Sequence, residues 1–295
     1  MDWIKCIQRA IDYTEAHLTE EIDYDAVAKE ACSSSFHFQR VFSIMCGFTL
    51  GDYIRMRRLS LAADELINSD DRVIDIALKY GYETPESFTR AFSRFHGVTP
   101  TEARNGGTVK SFSALSVKLI LTGGNKMDYR IEKPGAIKVI CKRERVHKPE
   151  TGAGTPDITG FWAKCGQDGT IRKIIGHIPE KPLLGGLLGI SFSLETDGAE
   201  LPYGIGAEYD GAPAEDGLEV IELPEYTYAV FPFRGRMPDV FIETYRNIVS
   251  EFFPGSNRYE YAGGVEFEVY PSDKTDSPDY YGEIWIAVRE KQKTT

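Results

Sequence analysis

Two twelve-residue stretches carry the residue types that read nucleic acid. FQRVFSIMCGFT runs from Phe38 to Thr49, and FTRAFSRFHGVT from Phe88 to Thr99. Phe, Arg, Phe, Ser, Gly and Thr recur at the same places, with a small apolar residue after the Arg. On a helix, Phe36, Gln39, Arg40 and Ser43 share one face of the first copy, and Glu86, Thr89, Arg90 and Ser93 share one face of the second. Arg bonds bidentately to guanine, Gln to adenine, and a ring such as Phe36 can touch a thymine methyl. Ser43 and Thr89 can reach bases or phosphates. Glu86 is the odd member, since a carboxylate repels phosphate or selects the amino group of cytosine.

A second constellation lies near the C-terminus. In EIWIAV, Ile284, Ile286 and Val288 alternate with Glu283, Trp285 and Ala287. In VEFEVY, Val265, Phe267 and Val269 alternate with Glu266, Glu268 and Tyr270, and EYTYAVF places Tyr226 and Tyr228 on one face. A carboxylate among rings suits a cationic or amphipathic organic ligand, the rings supplying cation–π attraction and the Glu countercharge. The bland alternative makes Glu283 and Glu268 solvated edges of a half-exposed sheet.

The elements that position these groups differ between the two halves of the chain. The first hundred residues read as helices: IKCIQRAIDYTEAHL with Ile4, Ile7 and Ile11 at helical spacing, DYDAVAKEAC with Asp23 or Asp25 as cap, then SSSFHFQRVFSIMCG, TLGDYIRMRRLSLAADELI, VIDIALKYG and TPESFTRAFSRFHG. Gly47, Gly81 and Gly97 end three of them. Phe38, Val41, Phe42 and Met45, and in the second copy Phe88, Ala91, Phe92 and Phe95, form the stripes expected to face a core. A short helix, a tight turn and a second helix make a helix-turn-helix, here twice. From Asn105 to Lys126 the texture changes, with one strand candidate, ALSVKLIL. Beyond Met127 strands dominate: IKVIC, GGLLGISFSL, YGIGAEY, EYTYAVFPF, GVEFEVY and EIWIAV. Helical stretches over Asp157–Ile175 and Pro238–Phe253 interrupt them. IEKPGAIKVI, from Ile131, matches IELPEYTYAV, from Ile221, at an offset of ninety residues, which implies two similar α+β halves about a pseudo-two-fold axis.

Composition narrows the partners. The net charge of −11 lacks a whole-chain basic footprint, so DNA contact must come from local patches. Such patches exist: Arg40, Arg55, Arg57 and Arg58 against Asp52, and Arg90, Arg94 and Arg104 against Glu102. Five cysteines without a C-x-x-C, and no paired histidines, indicate neither disulfide framework nor metal, and fit a reducing cytosol. No run of about 18 apolar residues spans a membrane, and the N-terminus lacks a signal-peptide core. No cofactor is indicated.

Residues 1–108 resemble the DNA-binding domain of AraC/XylS-family transcription regulators. VIDIALKYGYETPESFTRAFSRFHGVTPTEAR carries that family's C-terminal signature in Ile76-Ala77, Gly81-Tyr82, Phe88, Arg90, Phe92, Gly97 and Thr99-Pro100. The resemblance implies two recognition helices joined by a long one, entering successive major-groove segments about 34 Å apart. Residues 127–291, beyond a linker over 109–126, resemble the GyrI-like small-molecule-binding domain through the I-E-x-P openings, EFEVY and YYGEIWIAVREK. The expected fold is thus multi-domain: an all-α double helix-turn-helix followed by an α+β domain with antiparallel sheet. By resemblance Glu283 is the ligand-facing carboxylate, with Trp285, Tyr270, Tyr228 and Trp162 lining the site. The implied function is a ligand-responsive regulator, not an enzyme, that reads double-stranded promoter DNA, binds a hydrophobic or cationic small molecule, and biases DNA binding or RNA polymerase recruitment. Two alternatives stay open. One is a GyrI-like hydrolase of strained cyclopropyl compounds, in which Glu283 has a raised pKa and activates water. The other is a ligand-free interaction module.

Overall fold

The computed structural model describes residues 3–117, 126–147, 158–192 and 200–291. The first segment is helical: α1 (Trp3–Ala16), α2 (Tyr24–Glu30), α3 (Ser35–Cys46), α4 (Leu50–Asn68), α5 (Val73–Lys79), α6 (Pro85–His96) and α7 (Pro100–Arg104). The fifty-residue repeat extends to the helix ends. Gly47 and Gly97 close α3 and α6 in the left-handed conformation, at φ 78° and 86°. Thr49 and Thr99 then open the next helices with reciprocal capping boxes to Asp52 and Glu102. Asp23 caps α2.

Two cores share α4. Leu50, Tyr53 and Ile54 pack with Phe38 and Phe42, whereas Leu59, Ala62, Ala63 and Leu66 pack with Phe88 and Phe92. A helix of this length spans ~28 Å, so α4 is a stiff spacer between the two units. The stripe on α6 behaves as its spacing predicts, with Ala91 and Phe95 flanking the core. The stripe on α3 does not. Met45 is 42% exposed, and Val41 is buried in a cluster of the C-terminal domain.

Within the expected linker, residues 109–117 run along the helical domain. Val109, Phe112, Leu115 and Val117 pack on its cores, and the amides of Phe112, Leu115 and Val117 donate to Ser60, Tyr53 and Gln8. The strand candidate ALSVKLIL therefore forms no strand over Ala114–Val117, where those amides bond to side chains; its remainder lies outside the described residues.

The C-terminal segments comprise β1 (Arg130–Glu132), β2 (Ile137–His147), α8 (Ile158–Gln167), α9 (Thr170–Gly176), β3 (Leu187–Phe192), β4 (Glu200–Glu208), β5 (Glu219–Leu223), β6 (Thr227–Arg234), α10 (Asp239–Asn247), a π-helical turn (Ile248–Phe252), β7 (Tyr259–Tyr261), β8 (Val265–Tyr270) and β9 (Tyr281–Glu290). Gly169, at φ 86°, divides the expected first helix into α8 and α9. Pro238 stands at the N-cap of α10.

All strand pairs are antiparallel, in the order β1-β6-β9-β8-β3-β4-β2-β5, with β7 added to β9. The ninety-residue repeat reappears in the register. Ile131 of β1 faces Ala229 of β6, and Ile221 of β5 faces Val139 of β2, so each half lends its first strand to the other. The central β3–β8 pair lies where the two halves meet.

Period-two alternation gives the sheet two faces, and both are covered. One carries Ile190, Tyr228, Val230, Phe267, Trp285 and Ala287 in a cluster that also includes Ile137 and Leu223 from the far side, which requires the sheet to curl. The other carries Glu266, Glu268, Ile284 and Ile286. There α8 and α9 pack on the first half, and α10 with the π-helical turn packs on the second. Among the described residues no helix is long and apolar enough to cross a membrane.

Candidate functional site

The floor between the two helical layers is the β3–β8 pair, and it is anionic. Glu266 and Glu268 both project from β8 and are 3% and 8% exposed. Glu268 is held by phenols: Tyr270 donates to its Oε2 at 2.6 Å and Tyr203 at 3.3 Å, while Trp162 Nε1 donates to the Tyr203 oxygen at 3.1 Å. Burial pushes the Tyr203 and Tyr270 hydroxyls well above their ordinary pKa, so they remain donors. Gly189, opposite Glu268 on β3, makes room for this pair, because a Cβ there would collide with the Tyr203 hydroxyl and the Glu268 carboxylate. The phenols occupy one carboxylate oxygen. The other, Oε1, is turned to a cation.

That cation is Arg40. Its Nη2 lies 2.5 Å from Glu268 Oε1. Its guanidinium sits over the rings of Tyr245 and Phe241, 4.5 and 5.2 Å from their centroids. The side chain is only 13% exposed. Burial opposes its charge, yet Glu268, Tyr245 and Glu266 hold its pKa above the ordinary value. One turn away His37 stacks on Tyr261 at 3.8 Å and places Nδ1 3.1 Å from Glu266 Oε1. Tyr261 and Tyr245 donate to the same carboxylate at 2.8 and 3.3 Å. Burial disfavours the charge on Glu266, but His37 and Arg40, with the Tyr261 hydroxyl, hold its pKa below the ordinary 4.5. Removing one partner of such a buried pair leaves an uncompensated charge and costs about 3–5 kcal/mol.

Helix α3 therefore packs against the second domain. His37, Arg40, Val41 and Ile44 form a second stripe at i, i+3, i+4 and i+7, on a different face from Phe38 and Phe42. Arg246 of α10 donates to the Ile44 carbonyl at 3.3 Å. The fifty-residue repeat held the signal that finds this stripe. At the matching positions α6 has Ser87, Arg90, Ala91 and Arg94, so the two copies share the central Arg while α3 has the larger Val41 for Ala91, apolar Ile44 for Arg94 and His37 for Ser87.

The expected DNA-contacting residues are thus placed in two environments. On α3, Arg40 is buried against Glu268, Gln39 folds back to donate to Ser35, and Ser43 is half-buried. Phe36 belongs to α3, but its side chain lies outside the described residues. On α6, Glu86 and Arg90 are exposed and Thr89 is half-buried. Several arginines of the local basic patches serve the fold instead. Arg57 pairs with Glu15, Arg58 donates to the carbonyls of Leu18 and Glu20, and Arg104 donates to those of Leu66 and Asp71.

The expected ligand residues are divided by the sheet. Tyr270 and Trp162 meet beside Glu268, their rings 5.5 Å apart. Glu283, Trp285 and Tyr228 lie on the opposite face, where the alternation of β6 and β9 puts them. Arg130 of β1 grips Glu283 with two bonds of 2.8 and 2.9 Å, Trp285 Nε1 donates at 2.8 Å, and Tyr281 donates as well. Burial disfavours the Glu283 charge, but Arg130 and these donors hold its pKa below the ordinary 4.5. The hydrolase alternative required the opposite shift. Among the described residues no cluster of three His, Cys, Asp or Glu side chains could hold a metal ion.

Comparison with known proteins agrees with this architecture. Residues 130–288 match the family described as integron-associated effector binding protein. The chain belongs to this family. Residues 27–106 match a helix-turn-helix domain model, and the domain is of AraC type. Regulatory protein SoxS of Escherichia coli is 40% identical over 101 residues, covering 34% of this chain and 94% of SoxS. The uncharacterized HTH-type transcriptional regulator YbfP of Bacillus subtilis is 40% identical over 100 residues, and the match spans only 34% of its length. Among solved structures, SAV2435 bound to tetraphenylphosphonium aligns at 24% identity and TM-score 0.47, over 55% of this chain and 94% of that one. The chain is an AraC-family transcription regulator with an effector-binding domain.

Proposed function

We propose that this regulator binds an organic cation at the Glu268 carboxylate, and that it reads promoter DNA through α3 and α6. The observation that carries the ligand reading is the Glu268 cage. Phenols fix one carboxylate oxygen, the second meets a guanidinium, and the Tyr245 and Phe241 rings flank the charge. Rings and carboxylate together recognise a flat or hydrophobic cation, with about 2 kcal/mol from a desolvated cation–π contact. Glu268, Tyr203, Tyr245, Tyr270 and Trp162 form the proposed ligand set, while Glu283 and Trp285 serve the fold.

On the DNA side, Thr89, Arg90 and Glu86 are the proposed contacts of the second unit, and Gln39, Arg40 and Ser43 those of the first. The DNA-binding unit is taken to run to residue 117, because residues 109–117 pack on its cores. A ligand-binding regulator is favoured over a hydrolase because Arg130, Tyr281 and Trp285 already occupy both Glu283 carboxylate oxygens and make it a weaker base.

Calorimetry with tetraphenylphosphonium, a hydrophobic cation, tests the ligand site. Binding by the parent that is lost in Glu268→Gln and kept in Glu283→Gln is the expected result. Capture of genomic DNA fragments tests the other function. Enrichment of a shared motif of about two helical turns is expected, and a parent protein that enriches none either alone or with a bound cation removes the DNA reading.

A further inference from the structure

We infer that Arg40 is the resident occupant of the cation site, so that an amidinium- or guanidinium-bearing effector displaces it and releases α3 to read DNA. This rests on the effector reading above, and adds which ligand chemistry the site takes and how the two domains communicate.

Three observations carry it. First, Arg40 and an organic cation need the same atoms. Glu268 Oε1 and the faces of Tyr245 and Phe241 are already in contact with the guanidinium, whose side chain is 13% exposed. Both cannot be there at once. The resident group also shows what fits: a flat, delocalised cation with N–H donors.

Second, Arg40 cannot serve two partners. To reach a base edge, the reading face of α3 must enter a major groove about 12 Å wide. In the docked arrangement its central Arg is buried in the other domain, and His37 is 1% exposed against Glu266.

Third, the chain contains its own control. The corresponding helix α6 keeps Arg90 exposed. The copies diverge on the docking stripe, where Val41 and Ile44 of α3 replace Ala91 and Arg94 of α6. Val41 is 1% exposed, and it packs among C-terminal residues, not in the core of its own domain. The first copy alone is built to be held.

The coupling follows from linkage. Cation and DNA both bind the undocked state, so each raises the apparent affinity for the other by the same factor. Docking lowers both affinities by the fraction of molecules that are undocked.

The test uses the full chain and benzamidine, an aryl amidinium. Without DNA, Arg40→Ala should bind benzamidine tighter than the parent, by about tenfold if nine-tenths of the parent is docked. Without ligand, Glu268→Gln should bind a captured genomic fragment tighter than the parent and no longer respond to benzamidine. Ile44→Arg, which installs the α6 residue at the docking stripe, should also tighten DNA binding while leaving Glu268 intact. It keeps the inference testable should Glu268→Gln not fold. Equal benzamidine affinity in the parent and Arg40→Ala overturns the displacement mechanism but leaves the effector site standing. Benzamidine and tetraphenylphosphonium bound by neither protein overturns both readings. Unchanged DNA affinity in Ile44→Arg overturns the claim that docking restrains α3.

Discussion

Glu268 and Glu283 are the same residue type on neighbouring strands, and their surroundings set different tasks. Glu268 is satisfied on one oxygen by phenols of its own domain and on the other by an arginine of another domain. Glu283 is satisfied entirely from within, by Arg130, Tyr281 and Trp285. Glu283→Gln should therefore lower stability by about 1.5–3 kcal/mol, the worth of a charged hydrogen bond, with cation affinity unchanged. Urea denaturation and calorimetry on one preparation check both halves of that statement. Gly189→Ala should differ in the second half, losing cation affinity as well as stability. Its Cβ would lie 2.8 Å from Glu268 Oε2 and closer still to the Tyr203 hydroxyl. Forcing that cage apart costs about 1–3 kcal/mol, and loss of cation binding is the expected readout. Full affinity in Gly189→Ala would show that Tyr203 does not position Glu268.

Among the helices, repetition makes copies that tertiary contacts then treat differently. Both recognition helices end on a left-handed Gly and hand over to a Thr capping box. Thr49→Ala should cost about 1 kcal/mol by removing one such cap, read as a lower melting temperature. Exposed Arg90 on α6 is available to DNA without any rearrangement. Arg90→Ala should weaken DNA binding by about 1–3 kcal/mol, with or without effector. If Arg90 bonds phosphate and not a base, the loss is uniform across sequences and the salt slope drops by about 1. The outcome that removes α6 from the reading set is an unchanged binding isotherm at every salt concentration.

At the scale of the whole molecule, buried charge within the second domain and between the domains makes stability respond to acid. Glu266 and Glu283 both titrate below 4.5 when folded. The unfolded chain takes up those protons first as pH falls. Their contribution to stability is complete above about 4.5 and is lost as pH drops through the folded values. Glu266→Gln should flatten the acid limb of a stability–pH curve, because the Gln has no proton to gain. An acid limb of unchanged slope would mean that other carboxylates control it. The pseudo-two-fold sheet gives the contact between the domains its geometry, since the central β3–β8 pair leaves its floor between two helical layers.

The helix pairs, the glycines that end them and the fifty-residue repeat were legible because each depends on local spacing: apolar residues at helical intervals and a Gly at the end. The strands were legible from alternation and the ninety-residue repeat from the recurring I-E-x-P openings; alternation grouped Glu266, Glu268 and Tyr270 on one face of their strand and Glu283 and Trp285 on one face of theirs, but only the strand register put the two sets on opposite sides of the sheet. Alternation states which residues share a face and is silent on what covers it. That is why Glu283 stood out in the sequence although Arg130, distant in the chain, already neutralised it. The stripe of Val41 and Ile44 fits one core as well as two by periodicity alone. Only the packed chain decided that α3 is shared between domains. A buried carboxylate and a buried guanidinium more than two hundred residues apart each need a partner, and low dielectric makes leaving either unpaired costly.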